Sequence, residues 1–214
     1  MKTDSLIAML ARGPVAVDPG TTERRLAAAT ALGALAIAAV GLVVLGPRPD
    51  LASAAALPAF WIKLAFPLAL AFAAFAASCR LARPGARVAA AGWALALPFV
   101  VVAAVALVAL AGAASASEAW ALVSGRSALG CFAAIALLAL PVLFATHVAL
   151  RSLAPTRLRA AGAVAGLLAG AVAATVYAIH CDEMAAPFVA VWYGLGIAVP
   201  TVAGAWLGPR LLRW

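Results

Sequence analysis

The sequence predicts an all-α membrane protein, a bundle of six transmembrane helices with both termini in the cytoplasm. Three observations predict it. Of 214 residues, 67% are hydrophobic and only 10% charged, and the mean hydropathy of +1.13 lies far above that of a soluble domain. Six apolar runs reach the roughly 20 residues that a helix needs to cross the hydrocarbon core. Twelve of the fifteen basic residues fall on one side of those runs, and Lys and Arg flanking a membrane helix are retained in the cytoplasm.

Residues 1–25 form a cytoplasmic leader. Thr3 or Asp4 caps a short helix whose Leu6, Ile7, Met9 and Leu10 make an apolar face, and Gly13-Pro14 ends it. A helix of about eight residues is marginal in water, so it needs a surface, either the lipid bilayer or a groove on a cytoplasmic protein. Lys2 and Arg12 alone make a poor lipid anchor, which favours the protein partner. Thr21 or Thr22 then caps span one, residues 26–46. Span one is too long, and begins too late, for a cleaved signal peptide.

The remaining spans follow at 60–79, 88–112, 128–150, 160–179 and 188–207. The domain layout is thus a leader at 1–25, a six-helix sensor domain at 26–207 and a cytoplasmic tail at 208–214. Arg80, Arg83 and Arg87 join spans two and three; Arg151, Arg157 and Arg159 join four and five; Arg48, Lys63 and Arg126 are left at the outer side. Pro67, Pro98, Pro141 and Pro200 sit inside spans and read as shape, because neighbouring helices re-satisfy the freed backbone. The Ala- and Gly-rich runs suit closely packed helices.

Pumps and carriers place ionisable groups within the membrane for function, and this chain has almost none there. Lys63, near the outer end of span two, reads as a side chain that snorkels to the interface. His147, near the inner end of span four, reads as an interfacial hydrogen-bonding residue. No phosphate loop, HExxH or Ser-His-Asp pattern is present, so an enzyme or ion carrier is disfavoured. The net charge of +8 is mostly the topogenic belt and implies no direct contact with nucleic acid.

The stretch "AIHCDEMAAP" after span five is the unusual one. Cys131 lies 24 residues before Pro155 in the turn between spans four and five, and Cys181 lies 26 after it. At about 1.5 Å per helical residue the two thiols differ by only about 3 Å in depth. Neighbouring antiparallel helices would let them meet if their faces agree, and the sequence does not fix the faces. Three readings stand: a disulfide; capture of a thiophilic metal ion, transient and with no constitutive cofactor, by Cys131 and Cys181 with His180, Asp182, Glu183 and Met184 as further ligands; or two small apolar side chains beside a wet loop. Cys79 ends span two on the cytoplasmic side, where thiols stay reduced.

The stretches "TDSLIAMLARGPVAVDP", "PAFWIKLAFPLAL", "RLARPG", "HCDEM" and "WYGLGIAVPTVAGAWLGPRLLRW", with the position of Cys131, together resemble the NrsF family, negative regulators of sigma F. The resemblance covers essentially the whole chain. It implies a six-span bacterial inner-membrane anti-sigma factor that holds an extracytoplasmic-function sigma factor inactive. It also implies that the outer-face cysteines, here Cys131 and Cys181, sense heavy-metal or oxidative stress, with Cys79 outside that pair. The leader lacks the HxxxCxxC pattern of zinc-type anti-sigma factors. The competing expectations are a small-solute or metal exporter and a structural membrane protein.

Overall fold

The computed structural model describes residues 3–11, 13, 20–46, 48–83, 85 and 89–213. Lys2, Arg12, Pro14, Arg87 and Val88, and the side chain of Leu10, lie outside the described residues. No strand occurs among the described residues, and six helices are long and apolar enough to cross a membrane. They are span one, Thr21–Leu45, two, Pro58–Leu81, three, Ala89–Ala111, four, Ala128–Arg151, five, Leu158–Tyr177, and six, Ala186–Leu211. Short helices occupy Thr3–Ala11, Leu51–Ala55 and Ala116–Ser124.

The six expected spans are all present, with ends that differ by a few residues. Hydropathy marks where a helix meets hydrocarbon, whereas the helix itself runs on through polar turns. Span one therefore begins at Thr21, and Gly20, not Thr21 or Thr22, occupies its cap position without a side-chain hydrogen bond. Span six continues through Pro209 to Leu211. The helix at Ala116–Ser124 has a local cause: Ser115 accepts from the Glu118 N–H at 3.2 Å, while Glu118 Oε2 accepts from the Ala114 N–H at 2.8 Å. The arrangement resembles a capping box: it partners the Glu118 N–H of the first turn and the Ala114 N–H just before the cap.

Spans five and six form the spine. Gly162, Gly166 and Gly170 recur every four residues on one face of span five. A Cβ added at Gly166 would run into the Pro200 carbonyl oxygen, and one at Gly204 would strike the Gly162 carbonyl. Lipid tails supply no hydrophobic drive for helix association, so close backbone approach between small residues is what holds such a pair. Span four packs alongside, with Gly196 against Ile135. Span one lies on span four, where a Cβ at Gly33 would come 2.9 Å from Val142 Cα.

Two apolar clusters mark the two ends of the bundle. One gathers Leu26, Cys79, Leu81, Leu150, Ala161 and Leu212, which puts the start of span one and the end of span six together. Glu23 and Arg83 form an ion pair at this end, and Arg25 reaches Ser152 at 3.4 Å. The other cluster extends to the opposite end and includes Cys131, Tyr177, Cys181, Phe188 and Tyr193. There the helical geometry loosens twice: Gly41–Leu45 closes span one as a π-helical turn, and Val189–Tyr193 does the same near the start of span six.

Candidate functional site

Cys131 sits in the first turn of span four, on the face it shares with Ile135, Ala139 and Val142, and all four are fully buried. The spacing of four, four and three residues is the inward stripe of a packed helix. Cys181 follows span five by four residues, and its N–H still bonds the Tyr177 carbonyl at 3.1 Å, so the helical path continues to the sulfur. The two Sγ atoms lie 3.3 Å apart, and Ser127 Oγ lies 3.4 Å from the Cys131 sulfur. The equal depth expected from counting along the chain is present. The agreement of faces, which counting left open, is supplied by packing.

Both thiols are free and buried. Lys63 is only 1% exposed. It does not snorkel: its Nζ donates to the Cys181 carbonyl at 2.7 Å and stands 5.7 Å over the Tyr193 ring. The reason is angular, because Lys63 falls on the face of span two that carries the buried Phe60, Phe66 and Pro67, and a charge turned inward must find partners there. Arg48 Nη1 donates to the same carbonyl at 3.2 Å, and its Nε and Nη2 grip Asp50 at 2.6 and 2.7 Å. The Asp50 pair raises the Arg48 guanidinium's affinity for its proton and lowers that of the Asp50 carboxyl. Cys181 is held below the ordinary cysteine range, first by the hydrogen bond from Cys131 and, against desolvation, by the Lys63 charge.

The other residues considered as ligands are placed elsewhere. His180 Nδ1 bonds the Gly46 carbonyl at the end of span one; since a carbonyl only accepts, that nitrogen carries the proton. Asp182 Oδ2 faces Arg126 at 3.5 Å in an exposed pair, and Glu183 Oε1 accepts from the Arg126 N–H at 2.6 Å. Met184 lines a pocket with Ala59, Ile62 and Val105. Among the described residues, no three His, Cys, Asp or Glu side chains are grouped to hold a metal ion. Cys79 is buried in the cluster at the opposite end.

Arg48 and Lys63 become partners of the cysteine loop only in the fold, and the sequence pattern does not pair them with it. The available signal was that two of the three basic residues outside the topogenic belt lie near the apolar ends of spans one and two. His147, read as interfacial, is buried with Nδ1 on the Leu143 carbonyl of its own helix at 2.9 Å.

A helical bundle with six membrane-crossing segments and a buried facing dithiol at one end defines a polytopic membrane protein with a cysteine site. The chain belongs to the NrsF family: the family described as negative regulator of sigma F matches residues 10–214. It is 43% identical, over the full length of both chains, to a protein of Azospira oryzae named probable anti-sigma-F factor NrsF. It is 38% identical, again over both full lengths, to the anti-sigma-F factor NrsF of Caulobacter vibrioides. No solved structure matches.

Proposed function

We propose that this protein is a bacterial inner-membrane anti-sigma factor. It holds an extracytoplasmic-function sigma factor through its N-terminal segment and releases it when heavy-metal or oxidative stress changes Cys131 and Cys181. The observation that carries the reading is the pair of sulfurs 3.3 Å apart at the end of the bundle away from Thr21, where the N-terminal segment joins it. The helix Thr3–Ala11 supports it with exposed Leu6, Ile7 and Met9, an apolar face available to a partner groove. Placing both termini in the cytoplasm follows from the basic side chains: Arg24, Arg25, Arg80, Arg83, Arg151, Arg157, Arg159, Arg210 and Arg213 lie toward the termini end, and the positive-inside rule assigns that end to the cytoplasm.

The sulfur geometry favours oxidation as the signal. A disulfide needs about 2.05 Å between sulfurs, so the thiols must close by about 1.3 Å from their 3.3 Å separation. A thiophilic ion would be received by these two sulfurs first, and would spread them. Either change matters only if the two packings differ in affinity for the partner, and about 1.4 kcal/mol of difference gives a tenfold shift. The test is to solubilise the tagged full chain, identify the cytoplasmic protein that co-purifies, and repeat with cadmium or diamide. Retention of a sigma factor that falls on either addition supports the reading; retention of none overturns it.

A further inference from the structure

We propose that His180 and Arg48 are the positioning residues that couple Cys181 to the far end of span one, so that closing the dithiol displaces that span. The proposal rests on the sensing reading above only for its biological meaning; the coupling itself is a matter of contacts. Span one is the helix that leads directly into the N-terminal segment, and it meets the cysteine loop at two adjacent points. His180 Nδ1 donates to the Gly46 carbonyl, and Arg48 Nη1 donates to the Cys181 carbonyl at 3.2 Å. The residue before the sulfur and the backbone of the sulfur-bearing residue itself are therefore both tied to the exit of span one.

The fit of His180 against that span is close. Its ring lies over Gly41, where an added Cβ would come 2.8 Å from Nε2, so only glycine lets the imidazole lie against the helix. Gly41 is also the first residue of the π-helical turn Gly41–Leu45, a widened turn of the kind that accompanies functional sites and hinges. The rest of span one is lightly held, with 17% of its apolar window buried against 61% for span five. Its contact with the Cys131 helix is a narrow stripe that includes Gly33 on Val142 and the fully buried Ile37. Span one thus touches both cysteine-bearing elements, and a change in their separation must be taken up where it is least restrained.

The covalent step balances with an azo-type two-electron oxidant. Cys131 and Cys181 lose their two S–H hydrogens, the sulfurs join, and diamide takes up both hydrogens to become the hydrazine. The contraction of about 1.3 Å from 3.3 Å then pulls the 180–181 segment relative to span four.

The test uses the full chain in lipid nanodiscs, with keto amino acids at Val43 and Trp120 carrying spin labels by oxime chemistry that leaves the thiols alone; both sites are exposed. The label separation is measured before and after diamide, and bridge formation is read separately by maleimide mass shift. The expected result is a shift in the wild type that is lost in His180→Leu, restored in His180→Asn, which keeps an N–H donor, and at least halved in Arg48→Met, with the bridge forming throughout. Gly41→Ala, which displaces the ring while leaving every loop residue in place, should lose the shift too and replaces His180→Leu if that variant does not fold. A wild type that forms no bridge, or forms it with no change in separation, overturns the coupling, as does a full shift in His180→Leu or Gly41→Ala. In parallel, retention of the co-purified sigma factor is followed: a His180-dependent shift with unchanged retention leaves the coupling standing and overturns the sensing reading.

Discussion

Spans one and five are each apolar helices of 20 residues or more, yet they do different work. Span five buries 61% of its apolar window and span one 17%. The difference follows from side-chain size at fixed spacing: Gly162, Gly166 and Gly170 let the backbone of span five touch that of span six, whereas span one presents Leu32, Leu35, Val43 and Val44 outward. In a bilayer, an outward leucine gains nothing by leaving lipid, so helix packing is decided by small residues and a few polar contacts. Span five is accordingly a fixed spine, and span one is held along one narrow stripe: Leu26 at the termini end, Gly33 and Ile37 mid-bundle, and Gly41, Gly46 and Arg48 at the dithiol end.

That contrast can be broken from the spine outward. Gly166→Leu should have the largest effect, because the new side chain meets the Pro200 backbone rather than a movable side chain. A loss of about 3 kcal/mol or failure to fold is expected, read as the midpoint of unfolding in mixed micelles. Next, Lys63→Met keeps the stem but removes the donor to the Cys181 carbonyl; about 2 kcal/mol is expected from a charge-assisted hydrogen bond, and Lys63→Arg should recover part of it.

The third change tests function rather than folding. Cys131→Ser or Cys181→Ser should leave the unfolding midpoint within about 1 kcal/mol while abolishing the fall in partner retention on diamide, a tenfold effect on the scale of about 1.4 kcal/mol. A normal response in both variants would sink the sensing role. Deleting residues 3–11 belongs beside it: the bundle should melt unchanged, and the co-purified sigma factor should be lost. The smallest effect belongs to Leu35→Ala on the open face of span one, where the side chain is 67% exposed. A shift under about 0.5 kcal/mol is expected, and a larger one would mean that span one is covered by another chain.

Much of this is legible in the sequence. The spans followed from run length, and the near-equal depth of Cys131 and Cys181 followed from helical rise. The helix Ala116–Ser124 was open to detection through its Ser115–Glu118 capping pair, but it lies in a short amphipathic segment that no membrane-length window picks out. His180, Asp182 and Glu183 read as candidate metal ligands in the sequence because they adjoin Cys181. In the fold successive loop residues diverge, His180 to span one and Asp182 and Glu183 to Arg126. Lys63 looks like a snorkelling residue in the sequence because distance from the helix end is countable, whereas the direction in which a side chain leaves the helix is not.

What the sequence by itself determined is everything that depends on one segment at a time: six runs long enough for a bilayer, the bias of basic residues to one side, and the height of each sulfur along its own helix. Only the tertiary structure decided which faces meet. Rotation of a helix about its axis is set by its neighbours, here by the glycine contact of spans five and six. In a chain whose helices are apolar all round, no amphipathic stripe announces that rotation in advance.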